Sequence, residues 1–191
     1  MLTVLETERL ILKPLAPGME RAMIEYQQSN EAHFRPWNPP PVPGEYSLER
    51  WSAQCAQSAA DFEAGRGYRF IAFRRDVPDQ PIAVANYSQV SRGPFQACFL
   101  GYQIDRHCEG KGFMREALVA GNRFIFETAR LHRIHANYVP ANIRSGRLLA
   151  RLGFTIEGYA KDYLFIDGAW RDHVLTSLTH RHFDTGWLMP K

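Results

Sequence analysis

The sequence predicts one α/β domain, a mixed and mostly antiparallel twisted sheet of about seven strands with helices on both faces. Three observations carry that prediction. The N-terminal half reads as short strands joined by turns, whereas the C-terminal half alternates strand, helix, strand, helix, strand, which requires a parallel crossover appended to a meander. At 191 residues the chain suits a single domain, taken here as 1–191 with a C-terminal tail from 181 to 191.

Thr7 to Leu15 (TERLILKPL) alternates as a first strand, and Pro17 to Gln28 has helical apolar spacing at Met19, Ala22, Met23 and Tyr26. The proline-rich HFRPWNPPPVPG, His33 to Gly44, is predicted to be a loop without helix, because proline fixes φ and removes a donor. Ser47 caps a helix that runs to about Glu63 and is ended by Gly65. Strands Tyr68 to Arg74 and Ile82 to Val90 are joined by the loop DVPDQP, and SRGP turns into Phe95 to Ile104, a run apolar enough for a central strand. A helix follows from about Phe113 to about Arg130, then a strand Ile134 to Val139 and a short helix Asn142 to Leu152 stopped by Gly153. Phe154 to Ile166 and Trp170 to Leu178 form a hairpin about Asp167-Gly168.

Composition narrows the function classes. An apolar fraction of 45% is ordinary globular usage, and no apolar run approaches the roughly 18 residues of a membrane span. MLTVLETERL is interrupted by charge and does not read as a signal peptide, so a cytoplasmic protein without a membrane partner is expected. A net charge of +3 is too mild to demand nucleic acid, and no DNA partner is expected. Cys55, Cys98 and Cys108 lack CxxC spacing and read as free thiols. His132 and His135, at i and i+3 across a strand boundary, do not make a metal pair, and no metal is expected.

The chemistry lies in HCEGKGFMREAL, His107 to Leu118, where a glycine turn follows a strand and opens a helix. Gly110 and Gly112 allow positive φ, the helix N-terminus offers unpaired amides and a favourable dipole, and Lys111 adds positive charge, so the segment suits a phosphate. A nucleoside triphosphate loop of the form GxxxxGKS/T is excluded because Gly112 is followed by Phe113 and Met114. The dinucleotide GxGxxG fingerprint is excluded because its third glycine and later acidic residue are missing. A pyrophosphate cradle of the coenzyme A type remains.

That loop resembles the acyl-CoA signature of the GNAT superfamily of N-acetyltransferases, Arg/Gln-x-x-Gly-x-Gly/Ala, with His107 where arginine or glutamine is usual. With TERLILKPL, FRPWNPP, GYQID, HRIHANYVPANIRSGRLLARLGF and EGYAKDYLFIDGAWRDH, it is similar to the RimJ/RimL family, nearest its RimJ branch. The resemblance implies the acetyltransferase fold and transfer from acetyl-CoA to the N-terminal alanine of a ribosomal protein of the S-five type. It further implies direct attack in a ternary complex and association with ribosomes. Two other readings stay open: an acyl-CoA-binding ribosome assembly or regulatory module with little catalysis, and a small-molecule amine acetyltransferase. The chain is expected to be a monomer or homodimer.

By that resemblance the donor is held by Tyr102, Gln103 and Ile104 on the strand, by His107, Gly110, Lys111, Gly112, Phe113 and Met114 in the loop, and by Asn142 and Ser145. The NxxS unit places Asn142 as helix cap and Ser145 as the acid for the departing thiolate, for which a weak hydroxyl suffices because a thiol has a pKa of about 8.5. A bulge around Gly101 to Gln103 is expected to free an amide for the oxyanion. The glutamate that serves as base in related enzymes falls on Leu164, which leaves Asp162, the candidate, and Glu109 as the nearest acidic alternatives, with Asp172 behind them. Phe34, Trp37, Asn86, Tyr87 and Tyr138 are expected to wall the slot for the acceptor's first residue. Arg144, Arg147 and Arg151 line one side of a helix that reads as a solvated face.

Overall fold

The computed structural model describes residues 3–186 and 188, so the last part of the predicted tail lies outside the described residues. Its eight strands form one sheet in the order β1-β2-β3-β4-β5-β6-β8-β7. The strands are β1 (Leu5–Glu6), β2 (Leu10–Pro14), β3 (Tyr68–Arg74), β4 (Val77–Ser91), β5 (Ala97–Ile104), β6 (Arg133–His135), β7 (Thr155–Ile166) and β8 (Ala169–Thr179). Every pairing is antiparallel except β5 with β6, which are joined by the crossover helix α4 (Phe113–Glu127). The remaining helices are α1 (Glu20–Ser29), α2 (Glu31–Phe34), α3 (Leu48–Glu63) and α5 (Ile143–Arg151).

Strand alternation gives the sheet two apolar faces. Phe70, Ala85, Tyr87, Cys98, Leu100 and Ile134 pack with Phe113, Leu118 and Ile125 of α4 and Leu149 of α5. On the other face Leu15, Ile71, Phe73 and Val84 pack with Met23 and Tyr26 of α1, Phe34 of α2, and Trp51 and Cys55 of α3. Ser47 caps α3 by accepting from the Arg50 amide at 3.2 Å, and Asp167 (φ 46°) with Gly168 (φ 77°) makes the predicted two-residue hairpin turn.

Four expectations are corrected. The first strand is two pieces, since Thr7 Oγ1 accepts from the Leu10 amide at 3.0 Å and folds β1 back on β2, which adds the eighth strand. His33 to Gly44 is not free of helix: α2 runs to Phe34 and a 3-10 turn covers Arg35–Trp37, with Pro36 in its first turn, where no amide donor is needed. DVPDQP is not a loop. β4 begins at Val77, and register slips beside Phe73 accommodate Pro81 as a bulge position. Finally, β6 stops at His135, beyond which Tyr138 keeps a single bridge to Val174.

Candidate active site

β5 and β6 pair only through Ala97↔Arg133, Cys98↔Ile134 and Phe99↔His135, while β5 stays paired with β4 as far as Ile104. The sheet therefore opens between β5 and β6 beyond Phe99. The Asp105 amide donates to the Ile82 carbonyl at 2.8 Å, and bonded residues alternate in an antiparallel pair. Gly101 and Gln103 thus turn their amides to β4, and Tyr102 and Ile104 turn theirs into the opening. The bulge expected around Gly101 to Gln103 is not there, since the register runs unbroken from Ala83↔Ile104 to Ser88↔Phe99. Divergence of the two strands frees the amides instead.

The glycine loop hangs from the end of β5 and is fixed from three sides. Asn30, buried in the α1–α2 junction, donates to Asp105 Oδ2 at 2.9 Å and accepts from the Arg106 amide at 3.0 Å, while Asp105 Oδ1 accepts from the His107 amide at 2.8 Å. Arg9 donates to the Lys111 carbonyl at 3.0 Å and pairs with Glu116 at 2.6 Å. Glu109 is paired with Arg144 and lies 3.4 Å from His33 Nε2. The His107 ring is exposed and accepts from Arg106 Nε at 3.0 Å.

Gly110 (φ 72°) and Gly112 (φ 83°) are both left-handed, and a Cβ on Gly112 would stand 3.3 Å from Arg9 Nη2. α4 has no side-chain cap, and its first intrahelical bond is from the Glu116 amide to the Gly112 carbonyl at 3.1 Å. The amides of Phe113, Met114 and Arg115 are left for another acceptor. A pyrophosphate fits this cradle of backbone donors, whereas the Phe113 and Met114 side chains are buried in the core and can contribute only their amides.

Across the opening, Asn142 caps α5 by accepting from the Ser145 amide at 3.1 Å. Ser145 Oγ lies 2.7 Å from the Tyr102 hydroxyl. Burial pushes the Tyr102 phenol up to about 12, against a lowering by its bond to Ser145 and with a smaller rise from Tyr138. The phenol thus stays protonated near neutrality and is available as a donor. Tyr138 joins the same group, its ring so close under α5 that a Cβ on Gly146 would come within 2.8 Å. Sequence reading missed this meeting of Tyr102 and Ser145, 43 residues apart, and also missed Asn30.

The other predicted residues scatter. Gln103 accepts from Gln27 Nε2 at 3.0 Å on the α1–α3 face, and Ile104 packs on the α4 core. Tyr87 is fully buried against α4 with its hydroxyl on Asn122 Oδ1 at 2.8 Å, and Phe34 packs on Tyr26 in the second core, so neither side chain walls an open slot. Asn86 accepts from Arg69 Nε at 3.1 Å and lines a cavity of about 290 Å³ with Gln54, Ser88 and Gln89. Trp37 is partly exposed in the 3-10 turn, next to Arg35, which pairs with Asp167 at the hairpin tip. Asp162 (φ 47°) sits exposed in a bulge of β7, its amide held by Asp172 Oδ1 at 2.9 Å.

Residues 9–155 match the Acetyltransferase (GNAT) domain family. Over 175 residues the chain is 45% identical to the ribosomal protein uS5-alanine N-acetyltransferase of Escherichia coli (strain K12), covering 92% of this chain and 90% of that protein. Among solved structures, the ribosomal-protein-S5-alanine acetyltransferase from Vibrio fischeri is similar with a TM-score of 0.91 at 32% identity, over 95% of this chain and 99% of that one. Mycobacterium smegmatis RimJ in complex with CoA-disulfide gives 0.83 at 26% identity, over 100% of this chain and 89% of that one.

Proposed function

Because this chain belongs to the GNAT acetyltransferase family, we propose that it acetylates the α-amine of an N-terminal alanine on a small-subunit ribosomal protein of the uS5 type. It is an acetyl-CoA-dependent N-acetyltransferase. The single observation that supports this acceptor is the 45% identity over nine tenths of both chains to the Escherichia coli enzyme.

Acetyl-CoA supplies an activated carbonyl and a good leaving group. The chain's own residues do the rest. The amides of Phe113, Met114 and Arg115 would hold the pyrophosphate beside the opening between β5 and β6. The free Tyr102 amide is placed to stabilise charge on the carbonyl oxygen. Ser145, one turn into α5, gives its proton to the departing sulfur, and the protonated Tyr102 hydroxyl at 2.7 Å keeps Ser145 oriented and resupplied. Transfer is direct. All three thiols are buried, with burial pushing Cys55 up to about 11 and Cys98 up to about 12, which leaves them poor nucleophiles for a covalent acetyl-enzyme.

Incubation with acetyl-CoA and a panel of peptides differing in their first residue, read by intact mass and fragmentation, tests the acceptor. One acetyl group on the α-amine of alanine-start peptides is expected. Modification only at lysine, or none, overturns the assignment.

A further inference from the structure

The direct-transfer reading leaves one role unfilled, the group that takes a proton from the acceptor's ammonium before attack. An α-amine has a pKa of about 7.7 to 8.0, so a modest base is enough. The acidic candidates are engaged or remote in character. Glu109 is paired with Arg144, and Asp172 accepts from the Tyr159 hydroxyl at 2.7 Å and from the Asp162 amide. Asp162 points from an exposed bulge.

His173 on β8 has a different setting. It is 4% exposed, and its Nδ1 lies 3.0 Å from the Arg171 carbonyl. A carbonyl only accepts, so Nδ1 carries the hydrogen and Nε2 holds a lone pair. Among the described residues no group bonds Nε2, and it is not one of the imidazole nitrogens sealed without a partner, which are His132 Nδ1, His135 Nε2 and His180 Nδ1.

The register places His173 at the height of the opening, one strand behind its edge. Phe99 pairs with His135, and His135 with Ser177. Four positions further along each path, Gln103 on β5 and His173 on β8 stand at the same height, and the stretch that continues β6, still bridged to β8 at Tyr138↔Val174, lies between His173 and the gap. The face follows from alternation. Phe99 stacks on His135 at 5.0 Å, and Gln103 bonds Gln27 of α1, so these residues share the α1–α3 face. Ser177 opposes His135, and His173 lies four residues from it on the same side. Ser145 and Tyr102 occupy the α4–α5 face.

We propose that His173 Nε2 is the general base of the acetyl transfer, working from the α1–α3 face while Ser145 works from the other. This rests on the N-acetyltransferase reading above and fills its missing role. The acceptor ammonium gives one proton to Nε2, directly or through one water, and Nε2 passes it to solvent. The neutral nitrogen then forms its bond to the carbonyl carbon as the carbon–sulfur bond breaks. The nitrogen's second proton leaves to solvent, matched by the proton that the sulfur takes from Ser145 and Ser145 regains. Around the imidazole stand Arg171 and Asp172 on its own strand and Tyr163 of β7, whose ring is 5.1 Å away and whose hydroxyl accepts from Asn137.

Three measurements decide it. Imidazole-nitrogen NMR of the wild type should show Nδ1–H with the lone pair on Nε2, and the opposite tautomer overturns the proposal whatever the acceptor proves to be. H173Q should lower kcat by about 10²-fold and remove the acidic limb of the kcat–pH profile, with acetyl-CoA affinity kept as the sign of an intact fold. If H173Q does not bind acetyl-CoA, H173A with added imidazole replaces it, and rescue of turnover is expected. An H173Q enzyme with wild-type kcat and limb, or loss of that limb in D162N instead, overturns the assignment. Wild-type enzyme inactive on every alanine-start peptide would defeat the acceptor reading alone, because the tautomer result stands without it.

Discussion

Two hydroxyls 2.7 Å apart set the donor side of the site, and they are unequal. Ser145 is held at both ends, its amide on Asn142 and its Oγ on Tyr102, whereas Tyr102 is largely buried and pushed up to about 12. S145A should therefore lower kcat by about 10²-fold while acetyl-CoA affinity is little changed, since only the proton donor to sulfur is removed. Y102F should cost less, because Ser145 keeps its cap and can be resupplied by water. Steady-state kinetics beside calorimetric binding separates these effects, and an S145A enzyme with unchanged turnover removes Ser145 from the acid role. The neighbouring glycine adds a steric test. A Cβ on Gly146 would lie 2.8–2.9 Å from the Tyr138 ring, so G146A must push α5 or the ring although alanine favours helix by about 1 kcal/mol. We expect G146A to depress turnover through displacement of Ser145, with a loss of stability of about 1 to 3 kcal/mol by urea unfolding.

At the level of elements, α5 is a short helix whose start matters more than its length. Asn142 satisfies the Ser145 amide, so N142A should cost about 1 kcal/mol and blur the position of the Oγ one turn in. N142S restores a capping oxygen, and it should recover most of the turnover lost in N142A. If N142S instead stays weak in acetyl-CoA affinity while regaining stability, Asn142 acts on the donor and not as a cap. The cap, the glycine loop and the hairpin turn were legible in the sequence because each is local: Asn142 precedes a helical run, Gly110 and Gly112 punctuate a strand–helix junction, and Asp167-Gly168 demands positive φ. What was not legible depends on distant strands. The opening comes from where β6 stops pairing with β5, the Tyr102–Ser145 contact from the crossover through α4, and the face of His173 from β8 keeping its register while β7 bulges twice. Tyr87 and Phe34 were misread for the same reason, since alternation alone does not say which helix covers a given face.

The whole molecule joins these elements through a long-range clamp between the first hairpin and the phosphate loop. Glu116, in the first turn of α4, accepts from Thr7 Oγ1 at 2.6 Å and from the Arg9 amide at 2.8 Å, and pairs with the Arg9 guanidinium, which also holds the Lys111 carbonyl. Burial alone would raise the Glu116 carboxyl, but the bonds from Thr7 and Arg9 outweigh it and hold it below its ordinary value. A carboxylate depressed in the folded state contributes stability that is fully present above its unfolded pKa of about 4.3 and is lost as pH falls through the lower, folded value. Glu157, held down chiefly by its bond from Arg133, contributes in the same acid window from the other end of the sheet. E116Q and E157Q should therefore both flatten the fall of stability on acidification, as read by urea unfolding from pH 7 down to pH 3. Only E116Q should also weaken acetyl-CoA binding at pH 7, because only Glu116 fixes the strand turn against the loop that cradles the pyrophosphate. Equal acetyl-CoA affinity in the two variants would mean that the clamp serves stability alone, and that the loop keeps its shape through Asn30, Asp105 and its two left-handed glycines without help from the N-terminal hairpin.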